Sequence, residues 1–368
     1  MNCRLEDVAA MSPSPNATTI SDWRRGEFRS SATTISDFLI MMRSKRFKAL
    51  HFTFYILLFT FYIFFPTSLF SEKYAGEIFK MGAGVRNFAL GRTGLTDDRS
   101  PALAYWNASL LLKQPYPTFE LMHAEEFNGL LKYDTLSGSF GRNHRVGFTL
   151  SRIGISNVPM TKLPYPDEEV GPDNRPFVYR SVNNVDYILY MGFARRLLNI
   201  PIGITPKVVY RSLADETAYG FGMDIATHFV TNEHVKFGIR VRDAIPTQIY
   251  WENGTNESVN KGVDLEVRLS AITPIVERPI HFFINGEINT DAMKYYSFTH
   301  VGDATLDPHL GVEFVMHDMI SLFAGYDIEF FTAGIGLTYN QFMLHYAFER
   351  NAFLDNSHRL SIGYMFRR

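Results

Sequence analysis

The sequence predicts an all-β protein, an antiparallel transmembrane β-barrel of about fourteen strands, and three observations carry that prediction. From Thr118 onward the dominant period is two, with an apolar face and a polar face on each segment. The polar face carries full charges in mid-strand, opposite Val, Ile, Leu, Phe and Tyr. In a soluble sandwich that apolar face would pack on a second sheet, whereas in a barrel it meets lipid. Tight turns also alternate with mostly longer loops, as they do when a chain crosses a membrane back and forth.

Residues 1–41 are polar and hold the near-repeat ATTISDW (17–23) and ATTISDF (32–38). They read as a disordered extension, or as residues ahead of a true start at Met41 or Met42. From Met42 onward, Arg43, Lys45, Arg46 and Lys48 precede an almost wholly apolar run at 49–65; Pro66 breaks it and a polar tail ends near Ser71. That layout over 42–71 is a secretory signal peptide. A retained transmembrane anchor is the alternative, since the run sits at the lower edge of what spans a bilayer.

The segment 72–115 is dense in glycine: Gly76, Gly82, Gly84, Gly91 and Gly94, followed by Asp97, Asp98, then Tyr105, Trp106 and Asn107. Glycine at this density lets backbone run close against other structure, which suits a segment packed inside something else.

Over 116–368 the strands are predicted at 118–126, 130–140, 144–155, 182–195, 201–211, 218–230, 234–243, 261–272, 279–289, 308–317, 319–327, 331–339, 341–349 and 358–366. At about nine to thirteen residues each can cross a bilayer at a tilt, and no edge is tolerated in lipid, so the sheet must close. The polar faces supply lumen candidates: Lys207, Asp224, His228, Lys236, Arg240, Asp264, Glu266, Arg268, Glu287, His345, Glu349 and Arg359. Short connections are expected at 141–143, 231–233, 317–318 and 340, slightly longer ones at 196–200 and 273–278, and loops at 156–181, 212–217, 244–260, 290–307 and 350–357. The chain ends on an alternating strand with an aromatic near its close, Phe366.

Composition excludes several classes. Net charge is −2 and no basic stripe exists, so no nucleic-acid partner is expected. The single cysteine, Cys3, rules out a disulfide framework and a cysteine metal site. There is no G-x-S-x-G elbow, no H-E-x-x-H and no Walker loop, so neither enzyme activity nor a cofactor or metal is expected. His345 and Ser361 fall on neighbouring strands and can be drawn as base and nucleophile, but nothing singles them out. Asp97 and Asp98 lack the further ligands that Ca²⁺ needs, and a salt bridge to a lumen arginine is their expected use.

Gly82-Ala83-Gly84-Val85-Arg86, Ala89-Leu90-Gly91, Asp97-Asp98 and Tyr105-Trp106-Asn107, in that order, resemble the N-terminal signature of the PorV/PorQ family, relatives of the FadL-type long-chain fatty-acid transporters. Residues 331–339, 346–348 and 358–361 resemble that family's ending. The resemblance covers the chain from about residue 74 onward. It implies an outer-membrane barrel of fourteen strands with the N-terminal segment in the lumen as a helical or irregular plug. One departure is Asn107-Ala108-Ser109-Leu110, where the family usually continues with Pro-Ala-Gly-Leu.

On that footing the surroundings are outer-membrane lipid, reached through a cleaved signal peptide, and the ligand is a hydrophobic or amphiphilic small molecule to be passed across. The alternative is a component or shuttle of a type IX-like secretion system, with secretion-system proteins as partners contacting loops 156–181, 244–260 and 290–307. A third reading is a structural or surface barrel without transport. In the plug, Arg86, Arg92, Asp97 and Asp98 are expected to pair with wall residues such as Glu266, Arg240 and Asp224.

Overall fold

The structure, a computed structural model, describes residues 75–141, 144–274, 276–290, 297–301, 304–350 and 355–367. The leader expected over 1–41 and 42–71 lies outside them. The described chain begins with four short helical turns, η1 (Glu77–Lys80), α1 (Val85–Ala89), α2 (Leu103–Trp106) and η2 (Ala108–Leu112). Sixteen strands follow: β1 (Thr118–Glu126), β2 (Leu131–Phe140), β3 (Val146–Lys162), β4 (Phe177–Leu197), β5 (Ile200–Leu213), β6 (Glu216–Val230), β7 (Val235–Trp251), β8 (Asn256–Ser258), β9 (Gly262–Ile272), β10 (Pro279–Asn289), β11 (Thr299–Val301), β12 (Ala304–His317), β13 (Ile320–Asp327), β14 (Phe330–Tyr339), β15 (Phe342–Arg350) and β16 (Ser357–Met365).

The two three-residue strands, β8 and β11, only flank a neighbour. The others pair antiparallel in sequence order, with β10 joined directly to β12 and β1 closing on β16. The result is a closed barrel of fourteen strands, as the alternating pattern predicts. Closure satisfies every strand edge within the ring.

The alternation sorts side chains into two environments. Leu121, Phe221, Leu265, Ile284, Phe331 and Ile362 are exposed on the outside, while Glu120, Lys207, Asp264, Glu266, Glu313 and Ser361 are buried within. This inverts a soluble protein, because the charged face is the enclosed one.

Three predicted loops are corrected. Both ends of 156–181 are strand, and only 163–176 is left as loop: β3 and β4 stay paired from Val158↔Val182 to Lys162↔Phe177, with register shifts after Ile155 and Met160. Pro159 fits there because β2 ends opposite Ile155, so the missing N–H breaks no ladder on that side. Much of 244–260 is also strand, since β7 runs to Trp251 and β8 folds back on it. The register slips between Met223↔Ile245 and Ile225↔Val241, so Arg242, Asp243 and Ala244 are all buried in succession, with Asp243 at φ 51°. A bulge of this kind hides the strand from a strict period-two reading. The expected loop 212–217 shrinks to residues 214–215 between β5 and β6.

The end where β1 starts and β16 stops, the near end, has only short connections, while the tight β5–β6 and β13–β14 turns lie at the other end. The opposite, far end carries the β3–β4, β7–β9, β10–β12 and β15–β16 connections.

Candidate functional site

The segment 75–114 fills the bore. Its first part is stapled by aromatic side chains. The Tyr105 hydroxyl donates to the Phe79 carbonyl (2.8 Å) and accepts from the Gly82 N–H (3.0 Å), and the Trp106 indole donates to the Ala83 carbonyl (2.7 Å). Tyr133 on β2 donates to the Gly82 carbonyl. These bonds satisfy backbone groups that no helix or ladder could serve here.

Glycine decides how closely plug and wall approach. A Cβ on Gly91 would stand 2.3 Å from the Leu310 carbonyl oxygen, and one on Gly325 of β13 would stand 2.2 Å from the Gly91 nitrogen. Backbone therefore touches backbone, and Gly91 also needs its φ of 65°.

Ion pairs anchor the rest. Arg86 binds Asp97 (Nε–Oδ2, 2.6 Å) within the plug and Glu313 on β12 through both terminal nitrogens (2.8 and 2.6 Å). Arg99 pairs with the same Glu313. Asp98 accepts from Lys236 on β7 (2.8 Å) and Arg268 on β9 (3.3 Å), and Arg92 reaches Asp327 on β13 (3.3 Å). Burial alone would raise the Asp97 carboxyl, but Arg86 and Arg99 outweigh it and hold Asp97 well below the usual carboxylate range. Asp98 is likewise held low against burial by Lys236 and Arg268.

Glu266 on β9 makes no ion pair with the plug and instead accepts its backbone. The N–H groups of Gly94, Leu95 and Thr96 point to its two oxygens (2.8, 3.1 and 2.8 Å), and the Thr96 hydroxyl adds a fourth bond (2.6 Å). Wall cations cap the plug's rings: Lys207 over Phe79 (4.7 Å), Arg240 over Tyr105 (5.3 Å) and Arg359 over Phe88 (4.2 Å).

The space left over forms a vestibule at each end. The far one, 180 Å³, is lined by Lys80, Arg92, Glu287, Asp307 and His309 among others. The near one, 260 Å³, is mixed, with Arg86, Arg99 and His345 facing Phe323 and Met343. Both end on the plug.

The wall residues named from sequence all belong to this interior, but their partners differ from expectation. Arg240 pairs with Asp264 (2.6 Å) and donates to the Tyr105 carbonyl (2.8 Å), and Asp224 pairs with Lys207 (2.9 Å). Neither meets a plug charge, because a wall neighbour two strands or fewer away reaches it first. Arg359 bridges Glu349 (3.0 Å) and Glu126 (2.9 Å), Glu287 pairs with Arg242 (2.8 Å), and His228 meets the Ser109 hydroxyl (2.7 Å). Asn107 donates to the Leu95 and Thr227 carbonyls (2.7 and 3.1 Å), tying the end of the plug back to its middle and to β6.

Sequence reasoning missed Glu313, Asp327, Arg99, Glu126 and Glu120. Glu313 sits on the polar face of β12, a mid-strand charge like those that were named. His345 and Ser361 converge on one buried carboxylate, that of Glu120. Ser361 donates to Glu120 (2.9 Å), His345 lies 3.3 Å from the same carboxylate, and the two are 3.5 Å apart. Both serve to satisfy a buried acid.

The fold is similar to that of the Ralstonia pickettii toluene transporter TbuX, with a TM-score of 0.51 at 10% identity over 78% of this chain and 99% of that one. The Pseudomonas putida toluene transporter TodX aligns at 0.49 and 10% identity over 77% of this chain and 98% of its own. A Pseudomonas aeruginosa FadL homologue aligns at 0.42 and 9% identity, covering 82% and 99%. At such identity the likeness to TbuX is one of fold. No family model matches the sequence, and no curated protein does.

Proposed function

We propose that this chain is an outer-membrane barrel of the PorV/PorQ, FadL-like type that passes a hydrophobic or amphiphilic solute, with residues 72–115 as its hatch and a cleaved signal peptide at 42–71. One observation carries the reading: a closed barrel with an apolar exterior holds a segment that divides its bore into two vestibules. A purely structural barrel has no need of a segment held in the bore by so many separate contacts. The mixed lining of the near vestibule suits an amphiphile, with cationic Arg99 on one side and Phe323 and Met343 on the other. Passage then requires the plug to shift, since its backbone lies directly against the wall.

The test is reconstitution in liposomes, with uptake of a fluorescent fatty acid and of toluene measured for the full chain and for one lacking residues 76–106. The full chain should pass solute slowly and selectively, and the deletion should fold and leak. Absence of uptake in both preparations removes transport. A deletion that abolishes folding removes the hatch.

A secretion partner is the second reading. The observation that favours it is the β3–β4 hairpin, which extends past its neighbours at the far end and exposes Tyr165, Phe177 and Tyr179. Capture of the protein from its native membrane that brings down no secretion component eliminates this role.

A further inference from the structure

The outward face of the barrel is not uniform. On β6 it runs Tyr219, Phe221, Met223, Ile225, Thr227 and Phe229, apolar over nearly the whole crossing. On β1 it runs Phe119, Leu121, His123 and Glu125, so the second half is polar. Neighbouring strands repeat the change at the same level. The register sets His123 opposite Asp134 on β2, and Asp134 opposite Arg152 on β3. His123 Nδ1 lies 2.6 Å from Asp134 Oδ1, and Arg152 Nη1 donates to Asp134 Oδ2 at 3.1 Å. Glu125 and Lys132 face each other in the next pair toward the far end.

Depth makes this patch unusual. His123 is only about 13 Å along the strand from the ring of Phe119, while a tilted strand needs about 9–11 residues to cross. The polar patch therefore begins inside the crossing, where lipid tails disfavour outward charge. On the same wall, toward the near end, lies an open groove of 790 Å³ whose lining includes Tyr116, Phe119, Phe140, Tyr364 and Phe366.

We propose that the wall from β16 to β3 is an interface at which a second copy of this chain docks within the membrane. The inference rests on the outer-membrane reading above. The charges single out the occupant: Lys132 and Arg152 stand with Glu125 and Asp134, so the patch carries both signs in equal number and is self-complementary. A copy related by a two-fold axis can set each charge against its opposite, and a partner of one sign cannot. Docking takes the patch out of contact with lipid tails and fills the aromatic groove with side chains of its own kind.

Two measurements test the interface. In native membranes and a Cys3→Ser background, Leu121→Cys should form an oxidised, disulfide-linked dimer, while Leu265→Cys on β9, across the barrel, should not. In micelles, sedimentation should show a dimer that Asp134→Arg and Arg152→Asp each weaken at least tenfold and that the double reversal restores, with a heat-shifted gel band confirming each fold. Equal cross-linking at both positions, or a monomer throughout, overturns the proposal, and so does association indifferent to the reversals. Flotation with liposomes is read separately: a chain that does not float overturns the membrane reading itself, and the interface with it.

Discussion

Residues 75–84 and 85–99 belong to one segment of the plug, yet different forces hold them. The first part is fixed by neutral hydrogen bonds and ring packing, with Tyr105, Trp106 and Tyr133 at its centre. The second is fixed by charge, through Glu313, Lys236, Arg268 and Glu266 on strands far along the chain. Ring packing is short-ranged and insensitive to pH, whereas the ionic part responds to protons and to loss of a single partner. A plug built this way has one fixed portion and one releasable portion.

Replacing Arg86 should break that contrast most severely. Arg86→Ala leaves buried Asp97 without its main partner and Glu313 with only Arg99, at a cost of about 3–5 kcal/mol. Single-channel recordings should show frequent large openings, and a conductance unchanged from the parent would contradict the ionic anchoring. Glu266→Gln is milder. It turns an amide nitrogen toward the donors on one of the two carboxylate positions, Gly94 and Leu95 N–H or Thr96 N–H and hydroxyl, costs about 1.5–3 kcal/mol, and should raise amide exchange within Gly94 to Thr96 while leaving Gly82 protected.

Acid attacks the same portion from another direction. Asp97 is depressed below its ordinary 3.8 in the folded protein. Its contribution is therefore complete above pH 3.8 and disappears as pH falls from there through the depressed value. Conductance should be flat between about pH 5 and 8 and rise only under stronger acid. A rise near neutrality would point to a different group. The smallest effect belongs to the neutral part: Tyr133→Phe removes one hydrogen bond to Gly82, worth about 1 kcal/mol. It should lower thermal stability slightly and leave the pH response untouched.

The barrel was legible because lipid and lumen impose opposite demands on alternate residues, so each crossing declares itself locally. All fourteen crossings stand where period two puts them. Strand ends were less legible where bulges interrupt the period, at Asp243 in β7 and beyond Ile155 in β3. The interior charges could be named, but not matched. Arg86 and Glu313 meet across more than two hundred residues of sequence (|i−j| 227), and which rungs of the ladder face which turn of the plug depends on how the ring closes. Arg240 and Asp264, on adjacent strands, are open to pairing by register, yet Arg240 is expected against the plug because local and long-range partners look alike in a single sequence.

Gly91 lies against Gly325 with no room for one additional carbon. A chain fitted that tightly is poorly suited to being threaded through a finished ring, which gives biogenesis an order. The segment is more easily seated while the ring is still open, before the β1–β16 seam shuts beside the Pro115–Pro117 stretch that leads into β1. The hatch is then less a door hung in a completed frame than a panel set in place before the frame is closed.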